Sequence, residues 1–104
     1  FQLTNILRDV KEDAERDRIY LPLEDLRKFD LSETDILTGK TGPQFTELMR
    51  FEATRARQFY EEAQPLIPLI HTAGRPTFQI MYKIYRGLLD NIEASNYDVY
   101  NRRA

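Results

Sequence analysis

The stretch QLTNILRDVKED, Gln2 to Asp13, decides how this chain is read. Its polar residues Gln2, Asn5, Asp9 and Asp13 step by three, four and four, so on a helix of 3.6 residues per turn they share one side of the cylinder. Leu3, Ile6, Leu7, Val10 and Ala14 make an apolar stripe beside them, as a core-facing helix requires. Thr4, Arg8, Lys11 and Glu15 fill a third arc. A surface helix needs one apolar and one wet face. The third arc can already be the wet one, which leaves the amide and carboxylate stripe free to line a polar cavity.

Two chemistries suit that stripe. Carboxylates at i and i+4 repel each other by a few tenths of a kcal/mol on a bare helix. A divalent cation reverses the sign, and Mg²⁺ takes hard oxygen ligands, typically one or two carboxylates plus substrate phosphates. Alternatively the stripe is simply solvated, with Asp9 and Asp13 paired to Arg8, Lys11 or Arg16. Spacing alone leaves both open.

Outward from this helix the chain reads as one all-α unit. Helix one is expected over Gln2–Glu15. Pro22 starts a short helix over Leu23–Phe29 with Leu23, Leu26 and Phe29 turned inward. Ser32 with Asp35 resembles a capping box before a helix that ends at Leu37. Thr38–Gly42 is a turn, and its Gly-Lys-Thr triplet lacks the upstream glycine and strand of a phosphate-binding loop. Pro43 opens a long helix to Gln64, in which Phe45, Leu48, Met49, Glu52, Ala53, Ala56, Phe59, Tyr60 and Ala63 carry helical spacing. Its Arg and Glu residues read mostly as a solvated, paired face. Pro65 and Pro68 end it, and Leu66, Ile67, Leu69 and Ile70 are expected to cap a core. His71, a lone histidine beside apolar residues, reads as structural. Pro76 starts the last long helix, to Ala94, with Phe78, Met81, Tyr82, Tyr85, Leu88, Leu89 and Ile92 on a wide apolar face.

Composition narrows the function. A length of 104 residues suits one small domain. A net charge of −2 makes no electrostatic case for nucleic acid. No cysteine is present, which removes disulfides and thiolate metal sites and fits a reducing, cytoplasmic setting. No apolar run approaches the ~20 residues that span a bilayer. Helical periodicity is already running at Leu3 with no cap before it, so further elements are expected upstream of Phe1.

Q-L-T-N-I-L-R-D-V-x-E-D-A followed by R-I-Y-L-P resembles the second aspartate-rich region of the squalene and phytoene synthase family. F-E-x-x-R-A-R-x-x-Y-E-E-A, Y-R-G-L-L-D-N-I-E and N-Y-D-V-Y-N-R-R-A extend the resemblance over essentially the whole chain. It implies the C-terminal part of an all-α isoprenoid synthase domain, residues 1–104, which joins two prenyl diphosphates head to head. It also implies roles for named residues. Asp9 and Asp13 belong to the catalytic aspartate-rich motif, and Asn5, Asp9 and Asp13 hold Mg²⁺. Gln2, Arg8, Tyr85 and Arg102 contact substrate diphosphate. Leu3, Ile6, Phe78, Met81 and Leu88 are candidates to wall the apolar pocket, with ordinary helix packing as the alternative for each.

Lys11 and Asp17 stand where many members have glycine. The segment A-Q-P-L-I-P-L-I-H-T-A-G-R-P is closer to bacterial presqualene-diphosphate-forming members, which favours farnesyl diphosphate; phytoene formation from geranylgeranyl diphosphate is the alternative. A reductive squalene synthase would also use NADPH. Lipid products are compatible with peripheral membrane contact, although no basic amphipathic anchor is visible. The family's first aspartate-rich motif has no counterpart here, so the 104 residues carry half a metal site and are expected to be inactive alone. A noncatalytic helical scaffold is the rival reading from another class.

Overall fold

The computed structural model describes residues 1–70 and 72–101. Among these residues six α-helices follow one another, α1 (Gln2–Arg8), α2 (Val10–Glu15), α3 (Leu23–Lys28), α4 (Glu33–Leu37), α5 (Pro43–Ala63) and α6 (Arg75–Ala94), with a 3₁₀ segment, Gln64–Leu69, after α5. No strand occurs among the described residues, and the all-α expectation holds. His71 and Arg102 lie outside the described residues.

Two long helices make the frame. Pro43 at the start of α5 gives up an N–H that a first helical turn cannot use. Pro65 and Pro68 then tighten the continuation into 3₁₀ geometry. Helices α1, α5 and α6 pack against one another, and α2 packs on α4. Leu7, Leu48, Met49, Leu89 and Ile92 are fully buried where these helices meet. Each such side chain is worth about 1.5–3 kcal/mol against exposure. Arg57 on α5 binds Glu93 on α6 through two nitrogens at 2.8 and 2.7 Å and also holds Asp90. The Tyr82 hydroxyl of α6 donates to the Tyr60 carbonyl at 3.1 Å.

Several expectations are corrected. The first helix is not continuous: at Asp9 the backbone turns to φ −99° and ψ 15°, and the helix divides there into α1 and α2. The bonds Asp9 N–H to Asn5 and Asp13 N–H to Asp9 persist across the break, so the polar stripe stays in register. Leu23 is 47% exposed, because Asp25 and Leu26 take the inner side of this short helix. Leu66 and Leu69 are exposed rather than capping a core; only Ile67 packs on it. Phe59 and Met81 are exposed as well. Glu52, read as part of a solvated face, is completely buried.

The capping box forms as expected, with Ser32 and Asp35 bonding each other's backbone N–H at 3.1 and 2.9 Å. The Gly-Lys-Thr turn is structural. Gly39 sits at φ +75°, against the ring of Tyr100, whose hydroxyl donates to the Ile36 carbonyl at 2.7 Å. Asp17, where many family members have glycine, sits at φ +59°. That left-handed position explains the glycine, because an L side chain pays for it.

Candidate active site

The polar stripe of α1 and α2 lines a cavity. Gln2, Asn5, Ile6, Asp9, Asp13 and Tyr20 line an open cleft of about 220 Å³. The helical break at Asp9 leaves all four polar residues on this wall. The backbone N–H of Arg18 bonds the Asp13 carbonyl at 2.8 Å, which folds the Arg18–Leu21 segment back and brings Tyr20 over the stripe. Tyr20 was not among the residues singled out from sequence. No local spacing marks it, since its place depends on how that segment returns.

The electrostatics fit a cation. Burial and the neighbouring Asp9 push the Asp13 carboxyl above its ordinary range. Asn5 Oδ1 is buried with no hydrogen-bond partner among the described residues. A buried acceptor without a donor costs free energy, which a ligand can recover. Carboxylate and amide oxygens are the donor set that Mg²⁺ prefers. Among the described residues no group of three or more His, Cys, Asp or Glu is arranged to hold a metal. The stripe itself contributes two carboxylates, Asp9 and Asp13.

Arg8 grips Asp9 with Nε–Oδ1 at 2.7 Å and Nη2–Oδ2 at 3.0 Å. This is the paired arrangement that the sequence left open for Asp9, and the bond to Asp9 raises the Arg8 guanidinium above its ordinary range. Tyr85 is close enough to Arg8 to act on it electrostatically. Its ring stacks on Phe1 at 4.7 Å and 12°. Phe1 also touches Tyr60 and Phe78 at 5.9 and 5.7 Å, so an aromatic cluster adjoins the polar stripe.

A second, more apolar cleft of about 280 Å³ lies on the other side of α1. Phe1, Leu3, Ala56, Phe59, Ala63 and Phe78 line it, with Thr4 and Tyr60 also at its wall. Of the expected apolar wall residues, Leu3 and Phe78 stand here and Ile6 stands in the polar cavity.

The sequence matches the squalene/phytoene synthase family over residues 1–104. The chain belongs to that family. It is 52% identical over 103 residues to the 15-cis-phytoene synthase of Synechocystis sp., covering 99% of this chain and 31% of that protein. It is also 52% identical to the phytoene synthase of Arthrospira platensis (99% and 33% covered), and 42% identical to phytoene synthase 1, chloroplastic, of Arabidopsis thaliana (99% and 24% covered). The chain spans about a third or less of the length of these curated relatives. All three of these relatives are named phytoene synthases. Among the described residues no helix is long and apolar enough to cross a membrane.

Proposed function

We propose that this stretch is part of a phytoene synthase-type prenyltransferase, which joins two geranylgeranyl diphosphates head to head. The observation that carries the reading is the cavity gathering Gln2, Asn5, Asp9 and Asp13 beside the aromatic cluster of Phe1, Tyr60, Phe78 and Tyr85. Oxygen donors for a cation thus adjoin an aromatic, apolar surface for a prenyl chain. The names of the relatives support the C20 substrate over farnesyl diphosphate.

In this reading Asn5, Asp9 and Asp13 hold Mg²⁺ with Gln2 beside them. Bound there, the ion stabilises negative charge that builds on a departing diphosphate. Arg8 exchanges its carboxylate partner for diphosphate oxygens, because the same planar fork matches both. Tyr85 donates its hydroxyl to the diphosphate while its ring stays stacked on Phe1. Arg102 is a third diphosphate contact. The apolar walls exclude the water that would capture a carbocation. A first aspartate-rich motif elsewhere in the domain supplies the remaining ligands. No reductant enters this reaction, so NADPH belongs only to the reductive squalene alternative.

The test is a protein of the relatives' full length carrying these 104 residues, incubated with Mg²⁺ and either geranylgeranyl or farnesyl diphosphate. Phytoene, identified by mass, is the expected product. Presqualene diphosphate or a C30 hydrocarbon would overturn the substrate class while leaving Asp9 and Asp13 in their roles. No product from a folded protein would overturn the enzymatic reading in favour of a scaffold.

A further inference from the structure

The contact between α3 and α5 holds a charge arrangement that the candidate site does not use. Glu52 is 0% exposed, and neither of its carboxyl oxygens receives a hydrogen bond from an N–H group among the described residues. Two groups act on it most directly, Asp25 of α3 and Arg55 of its own helix. Arg55 Nη1 donates to Asp25 Oδ2 at 3.2 Å and stands 3.6 Å from Glu52 Oε2. One guanidinium therefore faces two carboxyl groups and bonds the Asp25 side. Lys28 of α3 adds a further charge nearby. Its ammonium lies 4.2 Å from the centre of the Phe51 ring, which Arg55 also approaches, at 4.8 Å.

A carboxylate removed from water and lacking a donor is so unfavourable that the group takes up a proton instead. A protonated carboxyl gains a donor, and the Asp25 carboxylate is the acceptor at hand. We infer that Glu52 carries a proton, donates it in a hydrogen bond to Asp25, and so forms, under the clasp of Arg55, a pH-sensitive fastening of α3 to α5. Releasing that proton to water leaves two anionic carboxylates sharing one guanidinium, and their repulsion loosens α3. Burial is the largest cause of the shift, Asp25 adds to it and Arg55 opposes it, and together they push the Glu52 carboxyl up to about 7. Helix α3 directly follows the segment that carries Tyr20 into the polar cavity, so this fastening also steadies that wall. The inference does not depend on the reaction proposed above.

The experiment is a carbon-detected titration of the glutamate carboxyls in a protein of the relatives' full length carrying these 104 residues, together with amide hydrogen exchange at about pH 5.5 and about pH 8.5. The Glu52 carboxyl is expected to titrate near 7. After correction for intrinsic exchange, the amides of Leu26, Phe29 and Leu31 should lose roughly tenfold or more of their protection at the higher pH. Glu52→Gln, which keeps the shape and a donor, should hold that protection constant. Titration of Glu52 in the ordinary carboxyl range would overturn the inference, as would the same loss of protection in Glu52→Gln. If Glu52→Gln does not fold, the midpoint of the assigned wild-type carboxyl decides.

Discussion

The hydrogen bond between Thr4 and Tyr60 ties the helix bearing the metal-suited stripe to the longest helix of the fold, and its removal makes a discriminating test. Thr4 Oγ1 and the Tyr60 hydroxyl are 2.6 Å apart, with Thr4 1% and Tyr60 6% exposed. Tyr60 is further held by an edge contact with Tyr82, at 5.5 Å and 83°. Thr4→Val keeps the side-chain shape and Tyr60→Phe keeps the ring, so each substitution removes one hydroxyl and opens no large void. Either single change orphans the other hydroxyl, a loss of about 1–3 kcal/mol for a buried group. Both residues also line the 280 Å³ cleft, which offers the survivor a route to water. That argues for the low end, about 1 kcal/mol for each single variant. Removing both leaves no orphan and forfeits only the net worth of one bond, again about 1 kcal/mol. The double variant is therefore expected to cost about 1 kcal/mol less than the sum of the singles. Urea unfolding of the four proteins, at constant slope, measures the difference as a shift in midpoint. Additivity within about 0.3 kcal/mol would refute the coupling and leave the two helices joined by packing alone.

Further outcomes follow from the same geometry. Glu52 is protonated up to about 7 in the fold, against about 4.5 when unfolded. Its contribution is whole below the unfolded value and is lost as pH rises toward 7, by at most about 3 kcal/mol. Melting curves of Glu52→Gln at acidic and alkaline pH should be flat where the wild type declines, and an equal decline would contradict the assignment. Asp13→Asn removes the repulsion with Asp9 and should stabilise the chain by a few tenths of a kcal/mol, while calorimetric titration shows its Mg²⁺ affinity weakened at least tenfold; unchanged affinity would remove Asp13 from the ligand set. Asp17→Gly relieves the left-handed backbone at φ +59° and should raise stability by about 0.5–1 kcal/mol; chemical denaturation showing a loss would mean that the Asp side chain compensates for the strain.

Much of the fold is legible along the chain because helices announce themselves locally. Pro43 and Pro76 mark the starts of α5 and α6, and Ser32 with Asp35 forms the cap its spacing announces. The stripe of Gln2, Asn5, Asp9 and Asp13 is a matter of angle along one axis, so its shared face could be read before any packing was known. Tyr20 stands in the quoted R-I-Y-L-P segment, but its place at the cavity has no period to announce it because that segment is irregular. Glu52 escaped because its helical position sits at the edge of the apolar stripe, where the pattern alone permits either burial or solvation. Leu66 and Leu69 misled in the opposite direction: apolar character does not bury a side chain unless another element covers it.

What the sequence by itself determined is the helical class, the family and the set of oxygen-bearing residues on one face, since these depend on local periodicity and residue identity. Tertiary structure alone decided that Tyr20 lines the polar cavity and that Glu52 is enclosed beside Asp25 and Arg55. Contacts of that kind join residues up to tens of positions apart. Their energies come from desolvation and from hydrogen bonds that exist only once the helices have met.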